Sequence, residues 1–112
     1  MKPKVILFFA LTLLTITFIS NSNIVAKNAT CTECFTVTYQ GGIVSNAVVT
    51  IYDSGGNKVA QCTTANNPPQ CCIDLTEGNY TARASWWQGV NEYTGQTTFT
   101  ACNTPVVNIT VN

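Results

Sequence analysis

The stretch "LTEGNYTARASWW", residues 75–87, decides the fold of this chain, because it joins a tight turn to a strand of strict alternation. Glycine at position 78 favours the turn, and apolar and polar residues alternate after it. Since successive strand residues point to opposite faces, Tyr80, Ala82 and Ala84 share one face, which we predict to be buried. The stretch is therefore typical of a half-buried strand in an antiparallel sheet.

Similar alternating runs recur about every ten residues from Cys34 onward, and none has the 3.6-residue period of an amphipathic helix. We predict strands at about residues 34–40, 47–53, 58–64, 71–75, 79–86, 94–100 and 105–111. The predicted core residues are Ala47, Val49, Ile51, Tyr80, Ala82, Ala84, Val107, Ile109 and Val111. This pattern predicts an all-β fold, a seven-stranded antiparallel β-sandwich.

Six cysteines predict that disulfides hold this sandwich together. They are Cys31, Cys34, Cys62, Cys71, Cys72 and Cys102. An even count in a small exported domain favours three disulfides over a metal site, because the chain has no histidine and a single CxxC pair. Adjacent Cys71 and Cys72 point to opposite faces, so each needs its own partner. We expect one disulfide between Cys62 and either Cys71 or Cys72. We also expect at least one disulfide that joins Cys31 or Cys34 to Cys102 or to one of these two adjacent cysteines.

The first 26 residues have the layout of a secretory signal peptide. Lys2 and Lys4 precede an apolar run over residues 5–19, which is shorter than the roughly 20 residues that a membrane-spanning helix needs. We predict cleavage after Ala26 and a single domain at residues 27–112, secreted or held at the cell surface, with no stable membrane span. An uncleaved anchor is the alternative.

The predicted mature chain has little charge and three N-glycosylation sequons. Beyond residue 26, three basic residues oppose five acidic ones, which gives a net charge of −2. No basic surface is therefore expected to bind nucleic acid. The sequons begin at Asn28, Asn79 and Asn108, and alternation turns Asn79 and Asn108 outward. These features predict an extracellular glycoprotein.

Three segments occur in an order that resembles a known family. They are the strand "NAVVTI" at 46–51, the turn "LTEGNY" at 75–80 and the closing strand "VNITV" at 107–111. With the Gly-rich hairpin at 54–57, they resemble the prealbumin-like β-sandwich of carboxypeptidase regulatory-like and Cna B-type modules, over about residues 34–111. The resemblance implies a mostly non-catalytic module of surface proteins, adhesins, pili or secreted enzymes. Six cysteines are not typical of these modules, and Lys58, at a hairpin end, is poorly placed for the isopeptide bond that some Cna B domains form.

Catalytic chemistry has few candidates in this sequence. The lack of histidine removes most hydrolase triads and most catalytic zinc sites. The carboxylates of Asp53, Asp74, Glu77 and Glu92 are more simply explained as solvated or turn-forming groups than as a glycosidase pair. There is also no Gly-rich phosphate loop. We therefore predict that the chain is not an enzyme and needs neither a cofactor nor a metal.

The two adjacent tryptophans mark the candidate binding site. Continued alternation puts Trp86 in the core and Trp87 outside, in the predicted loop "WQGVNEY" at 87–93. Trp87 is either a cap over the end of the domain or a platform for a sugar or a partner. The candidate binding residues are Trp87, Gln88, Asn91 and Tyr93.

Three functions fit these observations. The favoured one is a structural or assembly subunit of a cell-surface or extracellular structure, such as a filament or coat, whose partner is itself or another extracellular protein. It is favoured by the neutral Thr- and Asn-rich surface, the sequons and the cross-links. The alternatives are a glycan-binding module, and a secreted effector or inhibitor that binds a partner protein through the Trp87 loop. The sandwich fold does not separate them.

Overall fold

The computed structural model describes residues 29–112, which fold into eight β-strands. They are β1 (Thr30–Tyr39), β2 (Gly42–Val44), β3 (Val48–Asp53), β4 (Lys58–Thr63), β5 (Cys71–Thr76), β6 (Gly78–Gln88), β7 (Asn91–Ala101) and β8 (Val106–Val111). Within this range no helix has the length and apolar character needed to cross a membrane. The predicted signal peptide, its cleavage site after Ala26 and the sequon at Asn28 lie outside the described residues.

The strands form two four-stranded sheets that pack together around one core. One of them, which we call the second sheet, has the strand order β4-β3-β6-β7, and all its ladders are antiparallel. In the first sheet β1 is central and pairs with β2, β5 and β8. Cys34 pairs with both Cys72 and Val106, so β5 and β8 lie on opposite edges of β1. The predicted all-β, disulfide-linked sandwich is therefore confirmed.

Two details of the first sheet differ from the prediction. β8 runs parallel to β1, whereas all other ladders are antiparallel. A short eighth strand, β2, folds back on the end of β1 through a turn in which Gln40 and Gly41 both have positive φ. Three residues are too few to show alternation, so the sequence pattern gave no sign of β2.

The core contains the residues that alternation predicted and five more, which are Phe35, Val37, Leu75, Phe99 and Ala101. All nine predicted core residues are buried except Tyr80, which is half-buried and packs against the others. The rings of Phe35 and Phe99, one from each sheet, meet edge to face with their centroids 5.4 Å apart. Face assignment from the sequence is therefore correct on β3, β6 and β8.

Three disulfides link the strands, and the described residues contain no free cysteine. Cys34–Cys72 joins opposed residues of β1 and β5 within the first sheet. The other two bonds, Cys62–Cys71 and Cys31–Cys102, each connect one sheet to the other. The vicinal cysteines have separate partners, as predicted. Three disulfides in so small a domain are typical of an oxidising environment.

Glu33 is a buried charged residue close to the Cys31–Cys102 bond, with 2% of its surface exposed. Its Oε2 accepts a hydrogen bond from the backbone N–H of Cys102 at 2.7 Å, while Oε1 has no partner among the described residues. Cys102 has a backbone φ of 78°, a value that residues other than glycine rarely adopt. The carboxyl of Glu33 therefore stabilises the unusual backbone that ends β7.

The two sheets approach each other closely where β7 faces β8. A Cβ atom on Gly95 would overlap the backbone carbonyl oxygen of Thr110. Beside this point the N–H of Asn112 donates to the carbonyl of Thr94 at 3.2 Å. Gly95 does not have a positive φ, so glycine is required here for close backbone approach.

We expect Gly95→Ala to lower the free energy of unfolding by about 1–3 kcal/mol, because the obstructing atom is backbone and β8 must shift. Gly42→Ala is the control, since a Cβ there meets only the Tyr39 carbonyl oxygen at 3.8 Å. Urea unfolding of both variants measures the difference. Equal stability of the two would contradict the close approach of β7 and β8.

Candidate functional site

The outer face of the second sheet carries polar side chains in ordered rows. The ladders place Thr50, Arg83 and Gln96 side by side on β3, β6 and β7. In the next row Tyr52 lies opposite Thr81. On β3 and β6 these residues alternate with inward ones, so they point away from the core, and Gln96 shares their face because it pairs with Arg83.

Three shallow depressions follow one another along this face. The first, about 410 Å³, begins at Asn79, and the second, about 420 Å³, lies between Tyr52 and Gln96. The third, about 170 Å³, reaches Glu92. Thr81 lines both the first and the second, and Arg83 lines both the second and the third. The three therefore adjoin one another along β6, and we call this row of depressions the outer groove.

Trp87 stands at one end of the outer groove. It lies directly opposite Glu92, which lines the third depression, and 57% of its surface is exposed. Asn79 lies at the other end of the same strand, eight residues away, which corresponds to about 26 Å at roughly 3.3 Å per strand residue. The groove is therefore long and open, with an exposed aromatic ring beyond one end.

In the middle of the outer groove, hydrogen-bonding groups surround one positively charged side chain, that of Arg83. Arg83 is exposed and presents a planar guanidinium with five N–H donors. Gln96 adds an amide and Thr50 a hydroxyl in the same row, and the ring of Tyr52 lies half-buried beside them. Such a set can orient a polar ligand and also contact an apolar surface.

Two carboxylates border the groove but have partners of their own. Asp53 accepts hydrogen bonds from the backbone N–H groups of Asn57 at 2.9 Å and Gly55 at 3.0 Å. The bond from Asn57, with the weaker one from Gly55, holds the pKa of Asp53 below its usual value despite some desolvation. Glu92 accepts a hydrogen bond from the hydroxyl of Ser85. Both acids thus fix local structure at the rim of the groove.

The structure does not gather the four predicted binding residues on one surface. The predicted loop at 87–93 is a hairpin whose strands pair as far as Gln88 and Asn91, around a turn at Gly89 and Val90. Alternation therefore puts Gln88 and Asn91 on the face of the hairpin opposite Trp87, where both are exposed.

Tyr93 belongs to an inner aromatic cluster instead of the exposed surface. Its ring centroid lies 4.5 Å from that of Tyr39 and 6.0 Å from that of Trp86. The indole N–H of Trp86 donates to the carbonyl of Ser45 at 3.0 Å. Trp86 therefore packs inward and Trp87 faces outward, as alternation predicted.

The residues that line the groove were not identified from the sequence as a site. Tyr52, Arg83 and Gln96 come from three separate strands, and no spacing in the sequence connects them. The one available signal was that Arg83 occupies an outward position of a strongly alternating strand. Which residues lie beside it depends on the register of β3 and β7.

Neither similarity to known proteins nor a cluster of metal-binding side chains among residues 29–112 assigns a function to this surface. No protein-family model matches the chain, and no curated protein is significantly similar to it in sequence. Among residues 29–112, no three His, Cys, Asp or Glu side chains lie close enough together to hold a metal ion.

The two tryptophans should respond differently to truncation. We expect Trp86→Ala to lower the free energy of unfolding by about 2–4 kcal/mol, because it removes packing against Tyr39 and Tyr93. Trp87→Ala should change it by less than about 0.5 kcal/mol, since the ring is mostly exposed. Urea unfolding provides both values. A large loss of stability in Trp87→Ala would show that its ring supports the core.

Proposed function

We propose that this chain is an exported, non-catalytic module that binds a carbohydrate chain along the outer groove. The observation that supports it most is the row of adjoining depressions along β6, with exposed Arg83 at its centre and exposed Trp87 beyond its end. The sequence favoured a structural subunit over a glycan-binding module. The groove favours the glycan-binding module instead, because a groove lined by polar side chains suits a ligand.

The chemistry of the groove suits a sugar polymer. Sugar rings carry hydroxyl groups at their edges and C–H groups on their faces, so they need both hydrogen-bonding groups and aromatic surface. Arg83, Gln96 and Thr50 offer the first, while Tyr52 and Trp87 offer the second. The roughly 26 Å between Asn79 and Trp87 suits an extended chain better than a compact ligand.

The charges near the groove favour a neutral glycan. Arg83 is accompanied by the rim carboxylates of Asp53 and Glu92, which offset its positive charge. A strongly acidic polymer would be repelled by these two groups. We therefore expect neutral linear oligosaccharides to bind more tightly than sulfated or uronic-acid chains of the same length.

Export is supported by the three disulfides and by the signal-like layout of the first 26 residues. Expression of the full chain in a secreting host should give a product in the medium that begins at Lys27. N-terminal sequencing checks this, and a chain lacking residues 1–26 is the control that should remain in the cell. Recovery of intact Met1 on a membrane-bound product would contradict cleavage.

Binding is tested with the secreted protein and an array of linear hexasaccharides, both neutral and acidic. We expect Arg83→Ala and Trp87→Ala each to weaken binding of the best neutral glycan about tenfold, the change that about 1.4 kcal/mol produces. Val90→Ala is the matched control, because Val90 is 89% exposed at the tip of the same hairpin but outside the groove.

Three outcomes would overturn the proposal. They are the absence of glycan binding, tighter binding of acidic chains, and binding that neither variant weakens. Growth of filaments in size-exclusion and light-scattering experiments without glycan binding would instead support the structural subunit. Capture of one defined protein partner that Trp87→Ala abolishes would support the effector.

A further inference from the structure

We infer that Asn79 carries an N-linked glycan whose first sugars lie in the first depression of the outer groove, so that glycosylation limits access to the groove. The part of this inference that concerns access rests on the proposed function. The placement of the glycan does not, because it follows from the surroundings of Asn79.

The sequon Asn79-Tyr80-Thr81 has both functional residues on the groove side of β6. Asn79 is exposed, and alternation puts Thr81 on the same face. The side chain between them, Tyr80, packs against the core. The acceptor nitrogen and the hydroxyl of the sequon therefore belong to the surface that forms the outer groove.

A hydrogen bond orients the acceptor amide. The hydroxyl of Thr100, directly opposite on β7, donates to Oδ1 of Asn79 at 2.8 Å. Because Oδ1 and Nδ2 are the two ends of one planar group, this bond also fixes the position of Nδ2, the nitrogen that takes the sugar. A glycan attached there starts from a defined direction.

The first depression begins at this amide. Its volume is about 410 Å³, and Ser54, Thr81, Thr98 and Thr100 bring hydroxyl groups to its lining. A sugar bonded to Nδ2 must lie within a few ångströms of Asn79. These hydroxyls can donate to and accept from the hydroxyls of that sugar, and the tether keeps its local concentration high.

Occupation of the first depression affects the rest of the groove. Thr81 and Ser54 line both the first and the second depression, so a sugar in contact with them borders the site around Arg83. A free glycan would then bind only over the second and third depressions. The glycosylated protein should bind long oligosaccharides more weakly than the unmodified one.

The covalent step is ordinary N-glycosylation by the secretory machinery of the host. The co-reactant is a lipid-diphosphate-linked oligosaccharide. Nδ2 of Asn79 forms a bond to its anomeric carbon, the bond from that carbon to the diphosphate oxygen breaks, and Nδ2 loses one proton to a base of the transferase. The lipid diphosphate is the leaving group, and no oxidation or reduction occurs.

Asn108 provides a matched control within the same chain. It is also an exposed sequon residue, and the hydroxyls of Thr36 and Thr38 donate to its Oδ1 at 2.8 and 2.7 Å. It lies on β8, on the outer face of the first sheet, and lines none of the three depressions of the groove. A glycan on Asn108 should leave the groove open.

Placement of the glycan is tested on protein secreted by a glycosylating host. Peptide mass spectrometry should show a glycan on Asn79, and NMR should show contacts from its first sugar to Thr98 and Thr100. An unmodified Asn79 beside a modified Asn108 would overturn the inference. So would a glycan on Asn79 whose sugars contact no groove residue, because it would project into solvent.

Access is tested by measuring the affinity of four proteins for the neutral hexasaccharide that binds most tightly. The proteins are the glycosylated natural sequence, the natural sequence without glycans, Asn79→Gln and Asn108→Gln. Asn79→Gln, and the natural sequence made in a non-glycosylating oxidising host, should bind about tenfold more tightly than the glycosylated protein. Asn108→Gln from the glycosylating host should bind like the glycosylated protein. Equal binding by all four would overturn the effect on access. If none of the four binds, the proposed function fails, while mass spectrometry and NMR still decide the placement of the glycan.

Discussion

The strict alternation of β6 is the constraint on which the rest of the structure depends. β6 pairs with β3 on one edge and β7 on the other, so its register fixes both neighbours. Its inward residues Ala82 and Ala84 are small and buried, which leaves room in the core for larger side chains such as Phe35. Its outward residue Arg83 is the centre of the outer groove. A shift of one residue would bury Arg83 and expose Ala82, so the core and the groove are specified together.

The second sheet is joined to the first at both of its edge strands, by different means. On one side Cys62–Cys71 links β4 to β5. On the other side β7 lies against β8 through Gly95, and Cys31–Cys102 connects β1 to the end of β7. A domain of this size has a small core, so these cross-links add stability by restricting the unfolded chain. They also tie both edges of the sheet that carries the groove to the other sheet.

The outer groove is made mostly of strand residues, whereas the sequence placed the candidate site in a loop. Side chains on paired strands are held at fixed spacings, because the ladder sets the distance between rows. The groove therefore has a regular, elongated form that suits a ligand with a repeating structure. Trp87 belongs to this surface because the hairpin of β6 and β7 continues in register to Gln88 and Asn91. The neighbouring Trp86 and Tyr93 turn inward and stabilise the same end of the sandwich.

Sequence alone determined the class of fold, the buried faces of β3, β6 and β8, the outward positions of Asn79 and Asn108, and the number of disulfides. These properties follow from the two-residue period of a strand and from the count of cysteines, both of which are local or compositional. Tertiary structure alone decided the parallel pairing of β8 with β1, the partner of each cysteine, and the row of Thr50, Arg83 and Gln96. It also decided that Tyr93 packs, half-buried, against Tyr39 and Trp86. The reason is that strand order and register join residues far apart in the chain, so the pattern within one strand shows which face a side chain occupies but not which residues lie beside it.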